Sequence, residues 1–169
     1  MLKLFTRLMG AAAVGAIVAA AAPASAATTS ADLGVSATVS ANCALSTLPV
    51  AFGTIDATSS ADTTATGSIS VTCTSGTAWS ASADAGQGTG ATLAARQMTS
   101  GSNLLSYALY TDSTRATVWG DAADSSTALL SDTGTGTAQT KTVYGTVPGG
   151  QTSAPAGDYA DTVSVTVTY

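Results

Sequence analysis

From Asp161 to Tyr169 the chain alternates without a break. Val163, Val165, Val167 and Tyr169 fall on one face, and Thr162, Ser164, Thr166 and Thr168 on the other. Period-two alternation of β-branched and aromatic residues predicts a half-buried strand. The pattern runs to the last residue, and a strand that does not pair on both sides presents a row of unpaired N–H and C=O groups. Near the other end, Leu33, Val35, Ala37, Val39 and Ala41 alternate with Gly34, Ser36, Thr38 and Ser40 and predict a second amphipathic strand.

Between them the same pattern recurs in shorter pieces. Cys43 to Phe52 is apolar but irregular, and Pro49 suits it to an edge strand or bend. Ile69, Val71 and Cys73 share a face, as do Trp79, Ala81 and Ala83, then Leu105, Tyr107 and Leu109, then Val143, Gly145 and Val147. Ala91 to Met98 reads as a short helix or loop, and Ala116 to Trp119 as a short partner strand. Gly120 to Gly136 reads as loop broken by Leu129-Leu130. About six or seven strands separated by Gly, Ser and Asp turns predict an all-β sandwich or barrel, with an immunoglobulin-like sandwich the natural form.

Composition changes this picture at the start of the chain. Lys3 and Arg7 precede an apolar run from Leu8 to Ala22, followed by Ala24-Ser25-Ala26. A basic start, a short apolar core and an A-x-A site predict a signal peptide over residues 1–26. The remaining 143 of the 169 residues make one domain's worth of chain. Ten Asp then face only Arg96, Arg115 and Lys141, a net charge near −7, with no Glu and no His. Without a basic face there is nothing to neutralise phosphates, so nucleic acid is excluded as a partner. Anionic lipid is disfavoured for the same reason.

Cys43 and Cys73 are the only cysteines, and in an exported chain two cysteines pair more often than they stay free. The bridge closes a loop of about 30 residues, which the chain-entropy account credits with roughly 3–4 kcal/mol. Catalytic chemistry finds no footing. A Ser or Cys nucleophile needs a base, His is absent, and the aspartates sit mainly in turns that favour Asp for local hydrogen bonding. Asp112, Asp121 and Asp124 are candidate calcium ligands, but they lack the dense acidic alternation of an EF-hand loop. Gly86-Gln87-Gly88-Thr89-Gly90 has the look of a phosphate loop, without a following Lys or a βαβ setting. Trp79 and Trp119 read as core residues ahead of sugar-stacking platforms. No catalytic residue, metal site or small-molecule cofactor is expected.

Several short stretches carry a resemblance. Ala41-Asn42-Cys43, Phe52-Gly53, Gly67 to Thr74 and Arg96-Gln97-Met98 come first. Leu105 to Tyr110, Val118-Trp119-Gly120, Val143-Tyr144-Gly145 and Gly157 to Val163 follow. In this order they resemble the spore coat protein U domain family, which includes pilin subunits of archaic chaperone–usher fimbriae. The resemblance spans Leu33 to Tyr169.

It implies an immunoglobulin-like β-sandwich lacking its last strand, completed in trans by an N-terminal donor strand. Residues 27–42 would be that donor extension and residues 43–169 the incomplete domain. The implied partners are a periplasmic chaperone, an outer-membrane usher and neighbouring pilin subunits. The implied destination is export through the periplasm to the cell surface, or secretion. Leu33, Val35, Ala37 and Val39 are then the donor plugs, and Val163, Val165, Val167 and Tyr169 line the acceptor groove. The resemblance also implies that the chaperone anchors the carboxylate of Tyr169. Strand addition draws affinity from main-chain bonds and specificity from alternate side chains. Three large plugs contribute roughly 5–9 kcal/mol before ordering costs. Ala37 departs from the larger aliphatic expected at a central plug. The residues alone leave three readings open: a polymerising pilin-type subunit, a self-contained secreted β-sandwich binding module, and a spore or cyst coat structural protein.

Overall fold

A computed structural model describes residues 23–169. Most of the segment expected to be a signal peptide, residues 1–22, lies outside the described residues. The chain divides into two units after Ala37. Residues 23–37 form no strand, and Leu33 and Val35 are 88% and 86% exposed.

The second unit holds eight strands in two sheets. They are β1 (Cys43–Leu48), β2 (Thr63–Cys73), β3 (Ala78–Ala83), β4 (Arg96–Ser100), β5 (Asn103–Tyr110), β6 (Leu130–Thr133), β7 (Gln139–Val147) and β8 (Val165–Thr168). One sheet has the order β1-β2-β7-β5-β4 and the other β6-β3-β8, and every pairing between these strands is antiparallel. The fold is all-β, as expected, with no helix among the described residues.

The faces inferred from alternation are the faces that pack. Ile69, Val71, Cys73, Trp79, Ala81, Ala83, Leu105, Tyr107, Leu109, Val143 and Val147 are all buried in one cluster. Each odd-numbered position points between the sheets because pleating turns successive side chains to opposite sides. Gly145 lies in that inner row for a steric reason. A Cβ there would sit 2.7 Å from Val50 and 2.8 Å from Phe52, which pack over it after β1.

The closing strand is shorter than its alternation, Val165–Thr168 alone, and four further readings change. Arg96 to Ser100 is a strand, and only the preceding Thr92–Ala95 turn, closed by reciprocal main-chain bonds of 3.0 and 3.2 Å, is loop. Its periodicity was hidden because an arginine occupies the inward position. Leu130 begins β6, whose other residues are polar and exposed, as an edge strand allows. Ala116 to Trp119 supplies two bridges, Val118 to Tyr110 and Trp119 to Ala128, in place of a strand. Thr38 to Ala41 belongs to no strand, and Val39 is 82% exposed, so the alternating stretch from Leu33 has no ladder in this structure.

Cys43 and Cys73 are bonded and stand directly opposite each other in the β1–β2 ladder, with Cα atoms 4.1 Å apart. One residue earlier, Thr74 donates its N–H to Asn42 O (2.9 Å), and its Oγ1 accepts from Asn42 N (3.1 Å). The ladder and the covalent bond together hold the chain where β1 begins.

Candidate functional site

The two sheets are unequal, and the inequality falls at one seam. Residues opposite each other in an antiparallel pair share a face. Leu45 pairs with Val71 and Thr47 with Ile69, so both face inward. Val71 and Ile69 are 0% and 2% exposed, whereas Leu45 is 37% exposed and Thr47 is exposed. The three-stranded sheet ends at β8, which pairs on one side only, with β3.

A cleft of about 360 Å³ opens beside this seam, with Thr47 in its lining and Leu45 just outside it. Leu48, Pro49, Val50 and Phe52 form one bank, and Tyr159, Asp161, Val163 and Val165 the other. Ile69, Tyr107, Leu109, Trp119 and Val143 floor it. Phe52 meets the Tyr107 ring edge-on, with centroids 6.2 Å apart. A second cleft, about 700 Å³, lies between residues 50–57 and 154–159 and shares Val50, Phe52, Met98 and Tyr159 with the first.

Of the residues expected to line a groove, Val163 and Val165 border the cleft. Val167 packs against the core beside them, half-buried. Tyr169 is 57% exposed and outside both clefts. Leu33, Val35, Ala37 and Val39 are all exposed. The sequence reading missed the opposite bank, Leu48 to Phe52, because its irregular apolar pattern carries no period. Gly67 and Gly145 were the available signal. Each lies beneath that segment, where a side chain would collide with Leu48, Val50 or Phe52.

The β8 bank is held from behind by polar groups. Asp161 accepts from the Tyr107 hydroxyl (2.6 Å) and from Gln87 N (2.8 Å). Asp84 accepts from Gly86 N and Ser164 N, both at 2.9 Å. Burial and the Asp161 carboxylate push the Tyr107 phenol well above its ordinary pKa. Beside them Arg96 is fully buried, and its guanidinium donates to the carbonyls of Trp119 (2.7 Å), Leu93 (2.7 Å), Asp84 (2.9 Å) and Ala83 (3.4 Å). Burial lowers the Arg96 pKa, opposed by Tyr107, Asp84 and Asp161.

The remaining candidates resolve into structure. Trp79 and Trp119 are 3% and 2% exposed, with their indole N–H groups bonded to Gln139 and to the Ala81 carbonyl. Asp112 accepts from the N–H groups of Thr114, Ala116 and Thr117, and Asp121 from those of Ala123 and Asp124. These carboxylates close turns. Among the described residues no group of acidic, His or Cys side chains is arranged to hold a metal. The Gly86–Gly90 loop wraps the Asp161 carboxylate, and a Cβ at Gly86 would overlap it.

The described residues form a β-sandwich with an open apolar seam between its two sheets. The Spore Coat Protein U domain family matches residues 29–166, and the chain belongs to that family, whose members are structural subunits and not enzymes. It is similar to "Protein U" of Myxococcus xanthus, 37% identical, over 93% of this chain and 97% of that one. Among solved structures it is similar to the CsuC–CsuE chaperone–tip adhesion subunit pre-assembly complex from archaic chaperone–usher Csu pili of Acinetobacter baumannii. That likeness has a TM-score of 0.57 at 23% identity and covers 78% of this chain and 40% of the matched one. It shows the fold, and the chain spans less than half the length of that relative.

Proposed function

We propose that the protein is an exported pilin-type subunit that polymerises by donor-strand exchange into a cell-surface fibre. Residues 27–42 act as the donor extension and residues 43–169 as the acceptor domain. The observation that carries this reading is the contrast across β1: inward-facing Leu45 is 37% exposed beside fully buried Val71. An inner face left uncovered is an unsatisfied demand for one more strand, and β8 offers the edge on which to add it. Leu33, Val35 and Val39, each more than 80% exposed, supply the apolar row such a strand needs. Likeness to a structure that contains a pilus subunit and its chaperone supports a periplasmic chaperone as the transient partner, with an outer-membrane usher as the assembly site.

The test is removal of Leu33 to Ala41 from the exported chain. The account expects the parent to give ladders on unboiled SDS gels and the deletion to give none, while the deleted subunit still accumulates with its chaperone. Ladders of normal length from the deletion would refute it.

A coat role is the second reading, favoured by the family's description. It uses the same fold and differs in where the protein accumulates. Immunolabelling that places the protein in a spore or cyst coat, and none in fibres, would select it.

A further inference from the structure

The hydrogen bonds behind β8 do more than hold it in place; they decide which of its groups face outward. Thr99 and Ala160 exchange both main-chain bonds (2.8 and 3.1 Å). Four residues on, Asp84 N donates to Ser164 O (3.1 Å), and the Asp84 carboxylate takes the Ser164 N–H in place of a main-chain carbonyl. The β3–β8 register continues this parity through Ser82–Thr166 and Ser80–Thr168. The main-chain groups of Ala160, Ser164, Thr166 and Thr168 therefore turn towards β4 and β3, while the Thr162 N–H between them is taken by the Asp161 carboxylate (2.8 Å). Those of Val163, Val165 and Val167 turn to the free edge, and their side chains turn inward.

We propose that Asp84, Asp161 and Tyr107 are positioning residues that fix this parity before a strand arrives. An incoming strand must then set its plug residues, and not the residues between them, opposite Val163, Val165 and Val167. The inference rests on the strand-exchange reading. Its physical basis is that slipping a strand by one residue carries every side chain to the other face. β8 is only four residues long, with its inward valines half-buried, so its own ladder resists a slip weakly. The Asp161 bonds to Tyr107 and Gln87 lie on the approach to β8, and Asp161 and Tyr107 both line the cleft. Gly86, at φ 82°, is the residue that lets the 84–87 turn close on that carboxylate.

Cysteine pairs read the parity directly in polymer assembled from the full exported chain. Val35→Cys with Val165→Cys tests plug against wall, and Ser36→Cys with Val165→Cys tests the slipped alternative. The expected result is a plug–wall cross-link between subunits in roughly tenfold excess over the slipped pair. Adding Asp84→Ala or Tyr107→Phe should bring the two yields to within about twofold. Tyr107→Phe keeps the ring in the core and guards against loss of the fold, which Cys43–Cys73 formation and the near-ultraviolet dichroism of Trp79 and Trp119 monitor. A tenfold excess that survives Tyr107→Phe and Asp84→Ala overturns the positioning role. A parent that polymerises with the slipped pair dominant overturns the register. A parent that forms no polymer and neither cross-link refutes strand exchange itself.

Discussion

Leu45 and Val71 stand opposite each other in the β1–β2 ladder and point to the same side, yet Val71 is fully buried and Leu45 is 37% exposed. The difference separates what stabilises the subunit from what stabilises its assembly. Val71→Ala is expected to cost the folded subunit about 2 kcal/mol, in the range of large-to-small core changes. Leu45→Ser is expected to cost the subunit under about 0.5 kcal/mol, as exposed sites do, while shortening or abolishing polymer. Urea unfolding of the subunit beside gel analysis of the polymer measures both. Equal effects of the two substitutions on both readouts would show that the uncovered face at Leu45 has no part in assembly.

The disulfide sits where β1 begins and where the chain leaves towards residues 33–41. Replacing Cys43 and Cys73 together by serine should lower subunit stability by about 3 kcal/mol. The loss should appear in the urea midpoint and should be reproduced by reduction of the parent chain.

Arg96 tests a different kind of burial. Arg96→Ala would strand four carbonyls in the interior, those of Ala83, Asp84, Leu93 and Trp119. Breaking a buried charged network of this kind costs about 3–5 kcal/mol. The exported variant should be degraded or recovered in low yield. Arg96→Lys should rescue poorly, because one ammonium cannot reach four acceptors spread around a planar guanidinium.

Two titrations follow from the hydrogen bonds. The Tyr107 phenol is raised by burial and by Asp161, so the folded state favours its protonated form. Its contribution is complete below the ordinary tyrosine value of about 10 and is lost as pH rises beyond it. In an ultraviolet titration Tyr107 should ionise only as the protein unfolds, and Tyr107→Phe should remove that alkaline component. Asp112 runs the other way: the bonds from Thr114 and Thr117 lower its pKa. Its contribution is present above the unfolded value of about 3.9 and disappears as pH falls through the lower folded one. Asp112→Asn should flatten the acid limb of the stability profile.

Much of the fold was legible because alternation reports burial wherever one face of a strand is packed. The inner rows of β2, β3, β5 and β7 follow their side chains residue by residue. β4 was not legible, since Arg96 stands at an inward position and balances its charge with carbonyls contributed by β3 and by the segment around Trp119. β6 was not, because one leucine followed by three polar residues carries no period. The two banks of the cleft show the same division. Alternation set Val163 and Val165 on an inward face, and the family resemblance put them, with Val167 and Tyr169, at a groove; only the first two border the cleft. Pro49, Val50 and Phe52 were not found, because an irregular segment reveals its packing only through the glycines beneath it. Asp84 and Asp161 look like turn aspartates until the fold brings them behind β8.

The central claim is that one copy supplies the strand another copy needs, and complementation tests it most directly. One copy lacks Leu33 to Ala41 and keeps its cleft; the other carries Val165→Arg and keeps its donor segment. The account predicts that neither yields an SDS-resistant species when exported alone, and that together they yield a band of two subunits that boiling abolishes. Ladders from either copy alone, or no two-subunit band from the pair, would contradict it.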